Sequence, residues 1–460
     1  MKNLTLNNIA NACGGVLKGA TGNAYTREVT SVVIDSRKVT EGGLFIATKG
    51  ERVDGHSFIA DVAAKGVLAV VCERDIDTPI PYILVEDSFK ALKDIARFYR
   101  MQLSIPVIGI TGSVGKTSTK EFIAGTLGVK YNVCKTQGNF NNEIGLPLTV
   151  LSIKEEHDIA VIEMGISDFG EMSRLSDIAK PDTCVITNIG QCHLEQLGDR
   201  DGVLRAKTEC FYYMNHDGAI FLNGDDDKLK GLKAPWNRSI SYYGLLDREG
   251  IYPTEVTDNG LFGSEAVFHI GDESFHVNIK RPGIHMLYNA LAAAGVAKEY
   301  GLTNEEIIKG LDSVEATSGR SNVFKAGELT LIDDCYNANP VSTKAAIDLL
   351  NRAQSRKVAI LGDMFELGAD EKALHFEVGN YAASAGIDII VAVGALAENL
   401  YQGAKEADIV AECIYYKDVD ECISNISSIL KAEDSVLIKA SRGMHFEKIV
   451  EALSDTNVIK

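Results

Sequence analysis

Val107-Ile-Gly-Ile-Thr-Gly-Ser-Val-Gly-Lys-Thr-Ser-Thr-Lys-Glu121 reads as an apolar strand, a glycine loop, a Lys-Thr pair and the start of a helix. Glycines at 112 and 115 free the backbone to turn successive N–H groups inward, and a helix beginning near Lys116 aims its positive end at the same point. Such a concavity holds phosphate. Lys116 is placed to reach the β- and γ-phosphates of a nucleotide and the Thr117 hydroxyl to ligate Mg²⁺. The strict P-loop spacing wants glycine six residues before the lysine, where this chain has Ile110, so the loop over 111–117 is a shortened variant, Thr-Gly-x-x-Gly-Lys-Thr. The plain alternative is a glycine turn between strand and helix. Lys-Thr straight after glycine at such a junction favours the phosphate loop.

Working outward, 460 residues predict about three domains. Hydrophobic content of 45% and charged content of 24% let each bury a core. The net charge of −18 argues against a nucleic-acid or anionic-membrane surface, so bound phosphate must be met by a few local cations and backbone amides. Nine scattered cysteines without a Cys-x-x-Cys spacing read as free thiols in a reducing compartment. No apolar run is long enough for a bilayer span and the first residues lack a signal core, so a cytoplasmic protein without membrane insertion is expected.

Residues 1–86 alternate short β-like runs with helical stretches, a small α/β module. Its polar punctuation gathers at strand ends, in Asp35-Ser-Arg-Lys38 and Asp54-Gly-His56. Ser36, Arg37 and His56 are turn residues by default and could line a pocket for an anionic ligand. A helix over 88–103 reads as the domain connection. The strand-helix alternation that follows, through 87–318, predicts a mainly parallel sheet with the phosphate loop at its carboxyl edge. In Thr136-Gln-Gly-Asn-Phe-Asn-Asn-Glu-Ile-Gly-Leu-Pro147 three asparagines serve either turns or substrate oxygens. Glu163, ending an apolar strand, stands where P-loop enzymes keep an acidic Mg²⁺ partner. His193 and Lys207 read alone as a packed histidine and a plain helical lysine. A helix from Pro282 is expected to place His285 and Asn289 on one face. Small polar residues at 316–320 suggest a hinge, after which 319–460 repeats the alternation as a Rossmann-like domain. That domain lacks Gly-x-Gly-x-x-Gly but carries polar clusters at its carboxyl strand ends.

Taken in order, these stretches resemble the Mur ligase family, ATP-dependent amide-forming enzymes of peptidoglycan precursor synthesis, over nearly the whole chain. The resemblance rests on Thr111-Gly-Ser-Val-Gly-Lys-Thr117, Asn139-Phe-Asn-Asn-Glu-Ile-Gly-Leu-Pro147, Glu163-Met-Gly165, Asp333-Asp-Cys-Tyr-Asn-Ala-Asn-Pro340 and Leu361-Gly-Asp-Met-Phe-Glu-Leu-Gly368. Tyr-Asn-Ala-Asn-Pro and Gly-Asp-Met-x-Glu-Leu-Gly look most like the branch that adds D-alanyl-D-alanine to UDP-N-acetylmuramoyl-tripeptide. The resemblance implies an α/β fold of three domains, with the UDP-sugar substrate on 1–86, ATP on 87–318 and the dipeptide on 319–460, acting as a monomer.

The same resemblance implies residue roles. Thr111, Gly112, Ser113, Val114, Gly115, Lys116, Thr117 and Ser118 would cradle the ATP phosphates. Thr117 and Glu163 would hold one Mg²⁺, and His193 with a carbamylated Lys207 a second. Asn289 would meet adenine, Arg320 the phosphates and Asp334 the ribose. Ser36, Arg37 and His56 would meet the UDP portion, and Asn337, Asn339, Ser441 and Arg442 the reacting peptides. One departure is Lys439-Ala440-Ser-Arg where the family usually has Lys-Gly-Ser-Arg. The rival readings are a folylpolyglutamate synthase or sister muramyl ligase, and a nucleotide-dependent binding protein that has lost the chemistry. A pure binder has no need of Lys116, Thr117, Glu163, His193 and Lys207 together.

Overall fold

The computed structural model describes residues 1–50, 53–190, 192–233, 235, 238–314, 319, 322–365, 367–407 and 411–454. Arg320, an expected phosphate contact, lies outside them. The chain forms two compact units, residues 1–254 with 268–275 and 288–313, and residues 255–267 with 276–287 and 314–460.

The first unit opens with strands β1 (Val16–Lys18), β2 (Val32–Val33), β3 (Leu44–Ile46), β4 (Ala69–Cys72) and β5 (Tyr82–Leu84), in the order β1-β5-β4-β3-β2. Only β1 runs antiparallel to its neighbour. The central sheet holds β6 (Val107–Thr111), β7 (Val133–Lys135), β8 (Ile159–Glu163), β9 (Thr183–Ile186), β10 (Ala219–Asn223) and β11 (Ile240–Tyr243). Its order is β11-β10-β9-β6-β8-β7 and every pairing is parallel. A parallel sheet is covered on both faces, which is why β6, β8 and β9 are apolar runs buried at every position. Ile110 belongs to that buried strand, so the shortened loop begins one residue later and needs no glycine there.

The helix expected to connect domains, Ser88–Arg100, is a structural keystone. Asp87 caps it through the N–H groups of Phe89 and Lys90. Its apolar face, Ala91, Leu92, Ile95, Ala96 and Tyr99, belongs to one core that runs from Leu4 and Leu6 to Leu222, so the packing has no break at 86/87. Buried Arg100 donates to the carbonyls of Ala179, Leu103 and Lys180 and to Asp182, and Tyr99 donates to Ile153 O at 2.6 Å.

Strands β12 (Tyr252–Asp258), β13 (Ser264–Ile270) and β14 (Glu273–Ile279) form a three-stranded sheet in that order. The helix after them begins at Met286, so His285 lies in the preceding turn and does not share a helical face with Asn289. Pro282, Gly283 at φ 97° and the turn through His285 delay the start that the alanine-rich pattern predicts.

The last sheet, in the second unit, contains β15 (Asn322–Ala326), β16 (Leu329–Asp333), β17 (Lys357–Gly362), β18 (Ile389–Val393), β19 (Glu412–Tyr416) and β20 (Ser435–Lys439). Its order is β15-β16-β20-β17-β18-β19, parallel except for β15 against β16. The sequence pattern anticipates β16, β17, β18 and β20 and misses the half-buried edge strands β15 and β19.

Arg100→Leu should lower the unfolding temperature of the first unit and cost about 2–4 kcal/mol, because one buried and three part-buried acceptors lose a charged donor. Thermal unfolding followed by circular dichroism reads this, and an unchanged midpoint would show that the clasp is dispensable.

Candidate functional site

The carboxyl ends of β6, β8 and β9 converge on the glycine loop. Gly112 (φ 147°) and Gly115 (φ 81°) take backbone conformations unfavourable to other residues. A Cβ on Gly112 would stand 1.9 Å from Thr187 Oγ1, so the loop admits only glycine at that contact. Helix Lys116–Leu127 starts directly after Gly115. Lys116 Nζ folds back onto the loop and donates to the carbonyls of Gly112 (2.9 Å) and Ser113 (3.4 Å).

Thr117 and Glu163, expected to act together, do meet. The Thr117 hydroxyl donates to Glu163 Oε2 at 2.9 Å, and Asn141 Nδ2 donates to Oε1 at 2.6 Å. Glu163 is buried and its own N–H donates to Thr136 Oγ1 at 3.0 Å. Asn141 is thereby assigned from the asparagine cluster to the carboxylate, while Asn142 caps Gly145 N–H. The two oxygens of Thr117 and Glu163 form a hard-donor pair of the kind Mg²⁺ takes. Asn289 Oδ1 accepts the Thr119 hydroxyl at 2.8 Å, on the same side as Gly115.

Asp199 caps helix Arg200–Thr208 through Gly202 N–H and so presents Lys207 inward. Lys207 is 1% exposed. Burial first, and then the positive charge of Lys116, bring its amine down to about 8. Burial and Lys116 prevail over the groups that oppose this lowering. His193 is exposed, at φ 51°, and desolvation followed by the charges of Lys207 and Lys116 holds its imidazole below the usual value. Among the described residues no group of three or more His, Cys, Asp or Glu side chains forms a ready-made metal cluster.

In the small N-terminal module, Arg37 is mostly exposed and binds Asp35, whose carboxyl the guanidinium pulls down to about 2. Ser36 lends its carbonyl to Lys65. His56 differs from the expectation of an open ligand contact: it is buried, with Nδ1 2.6 Å from Asp54 and Nε2 accepting Glu73 N–H. Both ring nitrogens serve the fold.

In the second unit, Lys439 is buried and donates to Asp334 and to Asn337 O, so the carboxylate expected at a ribose carries an internal partner. Asn339 caps helix Pro340–Leu350 in a capping box with Ser342. Ser441 Oγ accepts Phe365 N–H at 2.8 Å, and the Arg442 guanidinium lies 5.2 Å from the Tyr336 ring centre. Ala440 has no positive φ, and its methyl fills space that Gly362 leaves open, so the departure from glycine is accommodated. Asp363 accepts the N–H groups of Leu396 (3.0 Å) and Ala397 (2.7 Å) at the start of helix Ala397–Glu406. At that helix end the chain's own carboxylate takes the place an anion would occupy.

Thr187 and Asn188, which bind the loop, escape the sequence reading. Their only sequence signal is position: they follow β9, the strand next to β6.

With this geometry in hand, family models match three consecutive parts of the chain: the Mur ligase family catalytic domain over 28–100, the Mur ligase middle domain over 110–297, and the Mur ligase glutamate ligase domain over 319–442. The chain belongs to the Mur ligase family. A UDP-N-acetylmuramoyl-tripeptide--D-alanyl-D-alanine ligase of Bacillus subtilis (strain 168) is 36% identical, covering 98% of both chains, and one of Escherichia coli (strain K12) is 33% identical, covering 99% of both. A crystal structure of MurF from Acinetobacter baumannii is similar at TM-score 0.89 and 32% identity, with 98% of each chain covered. The MurF ligase of Thermotoga maritima in complex with ADP is similar at TM-score 0.78 and 31% identity, covering 93% of this chain and 97% of that one. A Mur ligase is an ATP-dependent peptide ligase, and the α/β fold with mostly parallel sheets is the three-domain one of these relatives.

The Lys207 amine gives a pH signature. Its folded value of about 8 lies below the ordinary 10.5, so its cost to native stability is fully present below about 8 and is relieved as pH rises to 10.5. The stability difference between Lys207→Met and the unmodified protein should therefore be largest below pH 8 and shrink above it. Urea denaturation in CO₂-free buffer checks this, and a difference independent of pH would refute the depressed amine.

Proposed function

We propose that this chain joins D-alanyl-D-alanine to UDP-N-acetylmuramoyl-tripeptide, consuming ATP and releasing ADP and phosphate, in peptidoglycan precursor synthesis. The observation that carries the reading is the full-length similarity to ligases of that name, together with an intact loop in which Thr117 meets Glu163. Residues 1–86 take the UDP-sugar substrate, with Ser36 and Arg37 the contacts and His56 their structural support. Residues 87–318 take ATP and 319–460 the dipeptide, with Asn337, Asn339, Ser441 and Arg442 facing the peptides and Asp334, Asn289 and Arg320 the nucleotide. The enzyme works as a cytoplasmic monomer.

The reaction has two steps. The tripeptide's terminal carboxylate attacks the γ-phosphorus of ATP, and ADP leaves with the bridging oxygen's electrons. The dipeptide's amine then attacks the acyl phosphate carbonyl, losing a proton as phosphate departs and the amide forms. Lys116, released from the Gly112 and Ser113 carbonyls, moves its charge onto the β- and γ-phosphate oxygens as negative charge accumulates there. Thr117 and Glu163 would hold Mg²⁺, which when bound neutralises phosphate charge. Asn141 and Thr136 keep Glu163 in place.

Lys207 is carbamylated in the working enzyme. An amine near 8 is partly neutral at physiological pH and can attack CO₂, and the carbamate replaces an ammonium that Lys116 repels with an anion that it attracts. With His193 the carbamate would complete a second cation site.

Phosphate release from ATP should require both UDP-N-acetylmuramoyl-tripeptide and D-alanyl-D-alanine. Release indifferent to the dipeptide, or dependent on folate and glutamate, would refute the assignment. Lys207→Ala should lose about ten- to a hundred-fold in activity, the cost typical of removing a group that orients a metal site, and regain part of it with added short carboxylic acids. Absence of any rescue would count against carbamylation.

A further inference from the structure

The bonds that shape the phosphate loop come from the segment after β9. Ser113 N–H donates to Asn188 O at 3.0 Å, and the Asn188 carboxamide spans both polar groups of the next residue, Val114. Its Oδ1 accepts Val114 N–H at 3.0 Å and its Nδ2 donates to Val114 O at 3.1 Å. The Thr187 hydroxyl donates to the same carbonyl at 2.6 Å, Thr187 N–H to Thr111 O at 3.0 Å, and Gly190 N–H to Ser113 Oγ at 2.8 Å. The Val114 side chain is 66% exposed, so its own packing does little to fix this peptide. The clamp fixes it.

This arrangement departs from a loop whose successive N–H groups all turn inward. The amides of 113 and 114 face the 187–190 segment. Those left to meet an anion are the first amides of helix Lys116–Leu127, which have no intrahelical acceptor, together with Gly115 at the turn. A carboxamide suits the clamping task because it offers one donor and one acceptor in a plane, matching the N–H and C=O of a single residue.

We propose that Asn188 is a positioning residue for nucleotide. By fixing both polar groups of Val114 it holds the first half of the loop against β9, so that the amides from Gly115 to Ser118 and the Lys116 ammonium are aimed together at the phosphates. It acts through Val114 and touches neither phosphate nor metal. The inference rests on the assignment of the loop to ATP made above.

The experiment is calorimetric titration of the full-length protein with ADP for Asn188→Ala, Thr187→Val and Lys116→Ala, with steady-state kinetics of the first two. Asn188→Ala should raise the Kd for ADP about ten-fold or more, and Thr187→Val, which is isosteric and removes only the bond to Val114 O, about three-fold. KM for ATP should rise in parallel, with kcat at saturating ATP within about two-fold and KM for the UDP-substrate unchanged. Should Asn188→Ala fail to fold, Thr187→Val carries the test. An ADP affinity within about two-fold of the unmodified protein in both variants, or a fall in kcat with KM for ATP unchanged, overturns the positioning role. Lys116→Ala separates this from the broader assignment: if it binds ADP normally, the loop is not the nucleotide site, whereas weakened binding there with unaffected Asn188 and Thr187 variants removes the Asn188 inference alone.

Discussion

The Thr117 hydroxyl on Glu163 is the contact on which the rest of the site depends. It joins the first turn of the helix after the loop to the end of the neighbouring strand β8, and it brings two oxygen donors of the type Mg²⁺ prefers to one place. Glu163 can be buried because each part of it is satisfied: one oxygen by Thr117, the other by Asn141, and its amide by Thr136. Thr136 is in turn held by buried Lys120, which donates to its carbonyl at 2.8 Å and pairs with Glu121. The Thr117–Glu163 pair is thus suspended from polar contacts that reach back into the sheet.

The chain buries several cations, and how each is satisfied separates structure from chemistry. Arg100 meets three carbonyls and a carboxylate and clasps a helix to the central sheet. Lys439 meets Asp334 and a carbonyl and ties β20 to the segment after β16. In both, hydrogen-bond partners replace the water that burial removes. Lys207 is equally buried, and burial first and then the charge of Lys116 lower its amine to about 8.

In the second unit one helix N-terminus at the carboxyl edge of the sheet is capped by the chain's own carboxylate. Asp363 at the end of β17 takes the amides at the head of helix Ala397–Glu406, and Gly394, at φ 120°, leaves room for it, since a Cβ there would lie 2.5 Å from Asp363 Oδ1. Burial raises the Asp363 carboxyl while the helix amides lower it. His375 fixes the neighbouring turn with both ring nitrogens, to Met364 N–H and to the Glu371 carbonyl. The strand-end clusters legible in the sequence are therefore partly self-engaged.

The sequence by itself determined the α/β class, the parallel strands that are buried throughout, the phosphate loop with its lysine and threonine, and Glu163 as its acidic companion. These are legible because a buried strand writes a continuous apolar run and a backbone nest demands glycine at particular positions. Tertiary structure decided what depends on neighbours distant in sequence. It placed Asn188 on Val114 across 74 residues, gave Asn141 to Glu163, engaged both ring nitrogens of His56, gave Asp334 an internal partner in Lys439 and lowered the Lys207 amine. Edge strands β15 and β19 and the late start of the helix at Met286 escaped for the same reason, since half-buried strands and capping turns leave no clear periodicity. A side chain's type states which bonds it can form. Only the fold, by bringing one partner within reach and excluding water, selects among them.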